Sequence, residues 1–379
     1  MTGWRRGAGA ARHAFLVSLC AGAALPRVPL AAQQAPDTGL SRTLREWVDS
    51  SRAVGIAVTE IRPDIQGVLV IGHRQRGEPG RLSLSTAMEI GSITKGFTGI
   101  LLADLVLRGV VSLDDPVTRH LPAGWTVPLY QGHEITLRDL ATHTSGLPRM
   151  PARFAPANLR DPYAAMNEDS LRVHVAASPA TRPPGQYAYS NLGMALLGRV
   201  LAHAGGARWD ELLRDRVLVP LGMDRTWAFP PEAVEAAMSS GHSGIFTPVS
   251  RWHFDAYAPA GALVSEAPGL APLLRALAQP DTTAAIGRAI RLATTALRSV
   301  GSGRDSVALG WHILYADSTR IVWHNGGTGG FRSWLGVVQG ERRGVAVINN
   351  ALLPWTDAFG VALLLGRPLA TPPVVTPRP

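Results

Sequence analysis

The 379-residue chain is predicted to be α/β plus all-α: an antiparallel sheet flanked by terminal helices, with an inserted helical domain. Three observations predict this. Two β-rich runs near the start are matched by four near the end. Short connections such as residues 340–343 separate the late runs, as antiparallel hairpins require. Between the two groups the apolar residues recur at helical spacing.

The elements follow in order. Residues 1–35 read as a signal peptide. Arg5, Arg6 and Arg12 form its charged region, residues 14–25 are an apolar run too short to span a bilayer, and Ala31, Ala32 and Ala35 suit cleavage. Residues 40–52 form a helix with Leu44, Trp47 and Val48 on one side. Strands are expected at 55–61 and 67–72. Helices are then expected at 93–107, stopped by Gly109, and at 137–143, with Thr136 as a cap. More follow at 191–204, ended by Gly205 and Gly206, at 209–217, at 266–278 with Ser265 as its cap, and at 282–300. Strands at 308–315, 320–324, 333–338 and 344–348 and a helix at 357–365 complete the fold. The α/β domain is thus discontinuous, 40–92 and 301–367, around a mostly helical domain at 93–300. The Pro-rich residues 368–379 are expected to be a disordered tail. Clefts between such units are common ligand sites.

Composition removes several classes of function. With 46% hydrophobic and 17% charged residues the chain can bury a large core, which excludes a disordered protein. The formal charge of +9 comes from 36 Arg and a single Lys against 28 acids. Four of the Arg lie in the first 35 residues, which carry no acid, and the remainder has a net charge of +5. Those Arg are scattered among acids rather than clustered, so no nucleic-acid partner is expected. Cys20 is the only cysteine, which excludes an intrachain disulfide, a Cys-rich zinc site and an iron–sulfur cluster. It lies in the signal peptide, so the mature chain would have no thiol nucleophile. No later apolar run reaches ~18 residues, and no transmembrane segment is expected. The mature protein is expected to be periplasmic or secreted, and a monomer.

Three motifs carry chemistry. Lys95 is the lone lysine in a chain that otherwise uses Arg for every cation. A buried amine can lose its proton near neutral pH, and a guanidinium cannot. Ser92 stands three residues earlier in Gly-Ser-Ile-Thr-Lys, on the same helix side and at a helix start that favours developing negative charge. That makes a Ser/Lys nucleophile pair; an N-capping serine beside a solvated lysine is the alternative. A tight loop after Pro183, Pro184 and Gly185 delivers Tyr189, a proton-transfer group, and Asn191, an amide able to orient a carbonyl. The alternative is a core tyrosine with an N-capping asparagine. The third run, His324 through Gly326, Gly327, Thr328, Gly329 and Gly330, ends a strand. Its glycines let backbone N–H groups approach a ligand, and one could join the N–H of Ser92 in an oxyanion hole. A plain glycine-rich hairpin is the alternative, and no Lys follows to make a phosphate loop.

Taken in order, Ser92 with Lys95, Tyr189 with Asn191, and His324 with Gly326 resemble the class C β-lactamases and the penicillin-binding DD-peptidases and esterases on the same scaffold. Residues 91–97, 140–148, 184–191, 220–223 and 324–331 are also similar to that family, and the resemblance spans roughly 40–367. It implies the β-lactamase/DD-peptidase fold and an acyl-enzyme hydrolase for a small-molecule or peptide substrate, with no metal or cofactor. It further implies Ser92 as nucleophile, Lys95 and Tyr189 as its proton handlers, Asn191, His324 and Gly326 as substrate contacts, and the N–H groups of Ser92 and Gly327 as the oxyanion hole. The family's lactamases usually carry Lys where His324 stands. His at that place is common in the esterase and peptidase relatives.

Smaller features are read as structural. His143 is expected to bond backbone in its loop, and Asp114 and Asp115 before Pro116 read as turn chemistry. Residues 241–245 lack the second glycine of a nucleophile elbow, and no His-Glu-x-x-His spacing occurs.

Overall fold

The computed structural model describes residues 38–63, 66–152, 154–301, 305–316 and 318–376; the expected signal peptide, with Cys20, lies outside them. Helix α1 (Thr38–Asp49) buries Leu40, Leu44 and Trp47. Strands β1 (Gly55–Ile61) and β2 (Gln66–Gly72) form a hairpin, and β3 (Ala87–Glu89) leads into a 3-10 turn, Gly91–Ile93. That turn runs into α2 (Thr94–Leu107), buried from Thr94 through Leu105. Next come α3 (Leu137–Ala141), α4 (Glu168–Ala177) and α5 (Asn191–Gly205). Helix α6 (Trp209–Leu213) continues through a π-helical turn into α7 (Val219–Leu221). Then β4 (Thr226–Trp227), α8 (Glu232–Ala236), β5 (Gly241–His242), β6 (Pro248–Val249), α9 (Ala258–Gly261) and β7 (Val264–Glu266) precede α10 (Ala271–Ala278) and α11 (Ala285–Ala293). The chain ends with β8 (Arg298–Ser299), β9 (Ser306–Val307), β10 (His312–Ala316), β11 (Thr319–Gly327), β12 (Arg332–Val338), β13 (Arg343–Asn349) and α12 (Thr356–Leu365).

The main sheet has the order β2-β1-β13-β12-β11-β10-β9-β8 and every pair in it is antiparallel. The two chain ends meet where Ile56 stands opposite Asn349. Because strand side chains alternate between faces, Ile56 and Val58 join α1 and α12 on one face, with Trp47, Trp334, Val347 and Phe359. Trp47 meets Trp355 and Phe359 edge-on there, at 5.2 and 5.3 Å. Ala57, Leu335 and Ala346 face the other way, into the core that includes α2, α5 and α10. Helix α10, from within the helical stretch, packs on β1, β12 and β13.

Several expectations need correction. Ser265 is not a helix cap: β7 pairs with both β3 and β4, and Ser265 shares a hydrogen bond with the Thr226 hydroxyl. The helix begins only at Ala271, after a 3-10 turn with Pro268 near its start. The helix expected at 282–300 stops at Ala293, where Thr294 and Thr295 donate back to the carbonyls of Ile290 and Arg291. The chain then enters the sheet as β8. The strand expected from 308 starts at His312, because Gly310, with φ of 70°, turns the chain first. Helix α4 went unread. Residues 368–376, expected to be disordered on composition, lie against the end of α1: Val375 N–H donates to Ser51 O at 2.9 Å, and the Arg52 guanidinium reaches Pro372 O.

Candidate active site

The turn that carries Ser92 is held on every side. Ile90 N–H donates to Leu263 O, the Thr94 hydroxyl donates to Gly91 O at 2.6 Å, and Leu263 N–H donates back to Thr94 Oγ1 at 3.1 Å. Gly91 has φ of 52°, a conformation that L side chains rarely adopt. Ser92 stays partly exposed, while Lys95 is fully buried beneath it. Lys95 Nζ donates to Ser92 Oγ at 2.9 Å and to Ala260 O at 2.6 Å. Burial drives the Lys95 pKa well below the usual amine range, and the charge of Arg149 adds to the effect.

A second loop brings Tyr189 over this pair. Gly185 N–H donates to Thr144 O and Ala188 N–H to His143 O at 2.7 Å, which lays the loop along residues 143–149. Ser190, not Asn191, caps α5, accepting from Gly193 N–H at 2.8 Å. Asn191 is thereby free of the capping role: its Nδ2 donates to Tyr163 OH at 3.3 Å, and its Oδ1 is buried without a partner. The Ser92 hydroxyl faces the Tyr189 phenol, whose ring centroid is 4.8 Å from Lys95 Nζ. Burial raises the Tyr189 pKa, so the phenol keeps its proton. His143 accepts from Ser190 N–H on Nδ1 at 3.2 Å and packs its ring on Tyr189, the backbone-bonding role expected of it.

The end of β11 forms the third wall. Gly326 pairs with Ser333, whose hydroxyl donates to Ile90 O at 2.8 Å, and Gly327 pairs with Arg332. A Cβ on Gly326 would stand 2.1 Å from Ile90 O, and one on Gly91 would stand 2.7 Å from Gly327 N. Only glycines let this strand end abut the Ser92 turn. His324 is buried with its Nδ1 on Asn325 O at 2.6 Å and its Nε2 unpartnered. Burial, together with His312, Lys95 and His143, holds its pKa well below that of an ordinary imidazole. The structure therefore gathers Ser92, Lys95, Tyr189, His324, Gly326 and Gly327 in one place, with Asn191 following Tyr189 at the start of α5.

Four further residues border this cluster without a local sequence signal. His312 stacks on Trp323 and stands 5.0 Å from the His324 ring; burial lowers its pKa to about 4. Glu89, three residues before Ser92, is buried beside Arg251, accepts weakly from Trp252 N–H at 3.4 Å, and has its pKa raised by burial to about 7. Tyr163 meets Asn191 from the segment before α4, stacked on Phe254. Arg149 places its guanidinium 4.9 Å from the Tyr189 ring centroid. None of them stands in a spacing that marks it as part of the site. Among the described residues no group of three His, Cys, Asp or Glu is placed to hold a metal ion.

A serine whose hydroxyl meets a fully buried lysine, set where the end of β11 abuts the turn before α2, is the arrangement of a serine hydrolase, and the chain is one. Residues 40–364 match the sequence model of the Beta-lactamase family, and the chain belongs to that family. It is 28% identical over 312 residues to the D-alanyl-D-alanine-carboxypeptidase/endopeptidase AmpH of Escherichia coli, covering 79% of this chain and 80% of AmpH. It is 27% identical over 338 residues to penicillin-binding protein 4 of Amycolatopsis lactamdurans, covering 82% and 86% of the two chains. Among solved structures it resembles a β-lactamase/D-alanine carboxypeptidase from Yersinia pestis complexed with citrate. The TM-score is 0.72 at 26% identity, over 87% of this chain and 99% of that one. An octameric penicillin-binding protein homologue from Pyrococcus abyssi shares the fold, with a TM-score of 0.74 at 24% identity over 87% and 78% of the chains.

Proposed function

We propose that the protein is an exported acyl hydrolase of class C β-lactamase type that forms an acyl-enzyme on Ser92 with β-lactams or related amides and esters. The observation that carries this reading is the 2.9 Å contact between Ser92 Oγ and a buried Lys95 amine that has no acid beside it. A neutral amine keeps one N–H on Ala260 O and turns its lone pair to the Ser92 hydroxyl. Lys95 takes that proton as Ser92 Oγ attacks the substrate carbonyl carbon. The oxyanion is received by the N–H groups of Ser92 and Gly327, and Asn191, His324 and Gly326 hold the substrate. Tyr189, protonated because it is buried, delivers a proton to the leaving nitrogen or oxygen as the bond to carbon breaks. Lys95 restores the Tyr189 proton. Water then attacks the ester carbon with a proton passing back through the same groups, releasing the acid and Ser92.

A second reading, an esterase or D-amino-acid peptidase with little β-lactam turnover, is favoured by His324. The group standing where lactamase relatives carry Lys is a buried imidazole, and burial holds its pKa well below the ordinary histidine value, favouring the neutral form. Export, to the periplasm or beyond, rests on residues 1–35. Intact-mass measurement after treatment with a fluorophosphonate or a penicillin should show one adduct, absent in Ser92→Ala. Labelling that persists in Ser92→Ala sinks the proposal. Steady turnover of a chromogenic β-lactam beside a short-chain ester separates lactamase, from esterase, from a penicillin-binding protein that acylates and stays acylated.

A further inference from the structure

Among the cations around the site, Arg251 is ion-paired with Glu235 and Arg332 with Asp357, and the Lys95 amine and the His143 and His324 imidazoles are shut away from solvent. Lys95 is buried with its Nζ on Ser92 and Ala260. His143 and His324 are buried, and His312 lies between Tyr187, Trp323 and His324. Arg149 is different. It is exposed, a guanidinium stays charged at any working pH, and no Asp or Glu lies within 4 Å of it among the described residues. Its place is fixed from behind, because its carbonyl accepts from Asn191 N–H at 2.9 Å at the start of α5. Its guanidinium and Lys95 Nζ lie 4.9 and 4.8 Å from the same Tyr189 ring centroid. A planar fork with five donors, unpaired and pinned beside the group that protonates the leaving atom, matches a carboxylate.

We infer that Arg149, rather than the residue at 324, reads a carboxylate on the leaving-group side of the substrate. This rests on the acyl-enzyme reading above. It specifies the substrate as one whose departing amine or alcohol carries an anion, as the C-terminal residue of a peptide does. It places the carboxylate-reading cation on the loop before α4, beside Tyr189, rather than on strand β11.

The test uses 3-carboxyphenyl acetate and 3-carbamoylphenyl acetate, which differ in one charge on the leaving group. The kcat/KM ratio of the two is measured in wild type, Arg149→Gln and Arg149→Lys, so that intrinsic ester reactivity cancels between proteins. The carboxylate-to-neutral ratio should fall about tenfold or more in Arg149→Gln, the scale of a hydrogen bond to a charged group, and should be largely kept in Arg149→Lys. An equal ratio in wild type and Arg149→Gln overturns the inference. The wild type also serves alone: raising NaCl lowers the ratio if an exposed guanidinium holds the anion, and a constant ratio overturns the inference. Hydrolysis of the neutral ester that survives in Ser92→Ala would instead sink the serine reading, whatever the ratio does.

Discussion

Lys95, the proposed proton acceptor, carries a folding penalty of its own. Its amine is buried with no carboxylate beside it, and folding therefore pushes its pKa down from 10.5. Below pH 10.5 the unfolded chain holds that proton more tightly than the folded chain does, so at pH 7 Lys95 opposes folding. The penalty is relieved as pH rises toward 10.5. Lys95→Met, which fills the space without charge, should raise Tm at pH 7 while abolishing turnover, with the gain shrinking as pH approaches 10.5; a lower Tm at pH 7 would contradict this. Lys95→Arg should lose activity nearly as fully as Lys95→Ala, of order 10²-fold or more, because guanidinium cannot give up its proton. Steady-state kinetics on the two variants decides it, and recovery by Arg would leave Lys95 a structural charge. At this scale the sequence was informative about identity: the lone lysine and a serine three residues before it stand out in any reading. It was silent about Arg149, His312 and Glu89, which gain meaning only from neighbours distant in the chain.

Among the elements, the Ser92 turn and the end of β11 work as a pair, and glycines make the pairing possible. In Gly91→Ala a Cβ would meet Gly327 N at 2.7 Å, at a φ of 52° that already disfavours a side chain. The strand end must then move away from Ser92, and with it one of the two proposed oxyanion donors. We expect a loss of about 10²-fold or more in kcat, the scale of a lost oxyanion donor, and destabilisation of about 1–3 kcal/mol from backbone strain. Kinetics together with denaturant unfolding checks both; near-normal kcat would detach Gly327 from the proposed role. Element boundaries were legible where a periodic run ended in its own punctuation. Strand β1 is found at 55–61, as its β-rich run predicted, and α5 starts at Asn191 and ends at its glycines. They were not legible where tertiary partners intervened. Ser265 and Glu266 read as the cap and start of a helix but lie in β7, paired with β3 and β4 on either side. Residues 298–299 continue a helical pattern yet pair with β9 as part of the sheet edge.

For the molecule as a whole, His143, His312 and His324 lie close enough to act on one another electrostatically, and this bears on acid stability. Their pKa values lie below 6.5, that of His312 at about 4. Above pH 6.5 both folded and unfolded chains hold them neutral and their contribution is complete. As pH falls through 6.5 toward 4 the unfolded chain takes up protons first, and stability is lost. Glu89 works the other way: its pKa is raised from 4.5 to about 7, so its contribution is complete below 4.5 and lost as pH rises through 7. Three imidazoles outweigh one carboxyl, and Tm should fall by several degrees from pH 7 to pH 5. The fall should be shallower in His312→Asn and steeper in Glu89→Gln; identical slopes in all three proteins would contradict the assignment.

The sequence by itself determined the sheet-and-helix class, the pairing of early strands with late ones and the three motifs. Each of these depends on local periodicity, turn residues or the rarity of a residue type, and such signals are complete within a short window. Tertiary structure decided the rest. Whether Lys95 is charged, whether His324 can hold an anion, and which cation faces solvent are questions of burial and of distance between remote segments. Desolvation and Coulomb interaction act through space, and the chain positions that set them are 165 residues apart for Lys95 and Ala260 alone. No window of sequence contains both ends of such a contact, so only the folded structure shows a buried amine, a buried imidazole and an exposed guanidinium in their places.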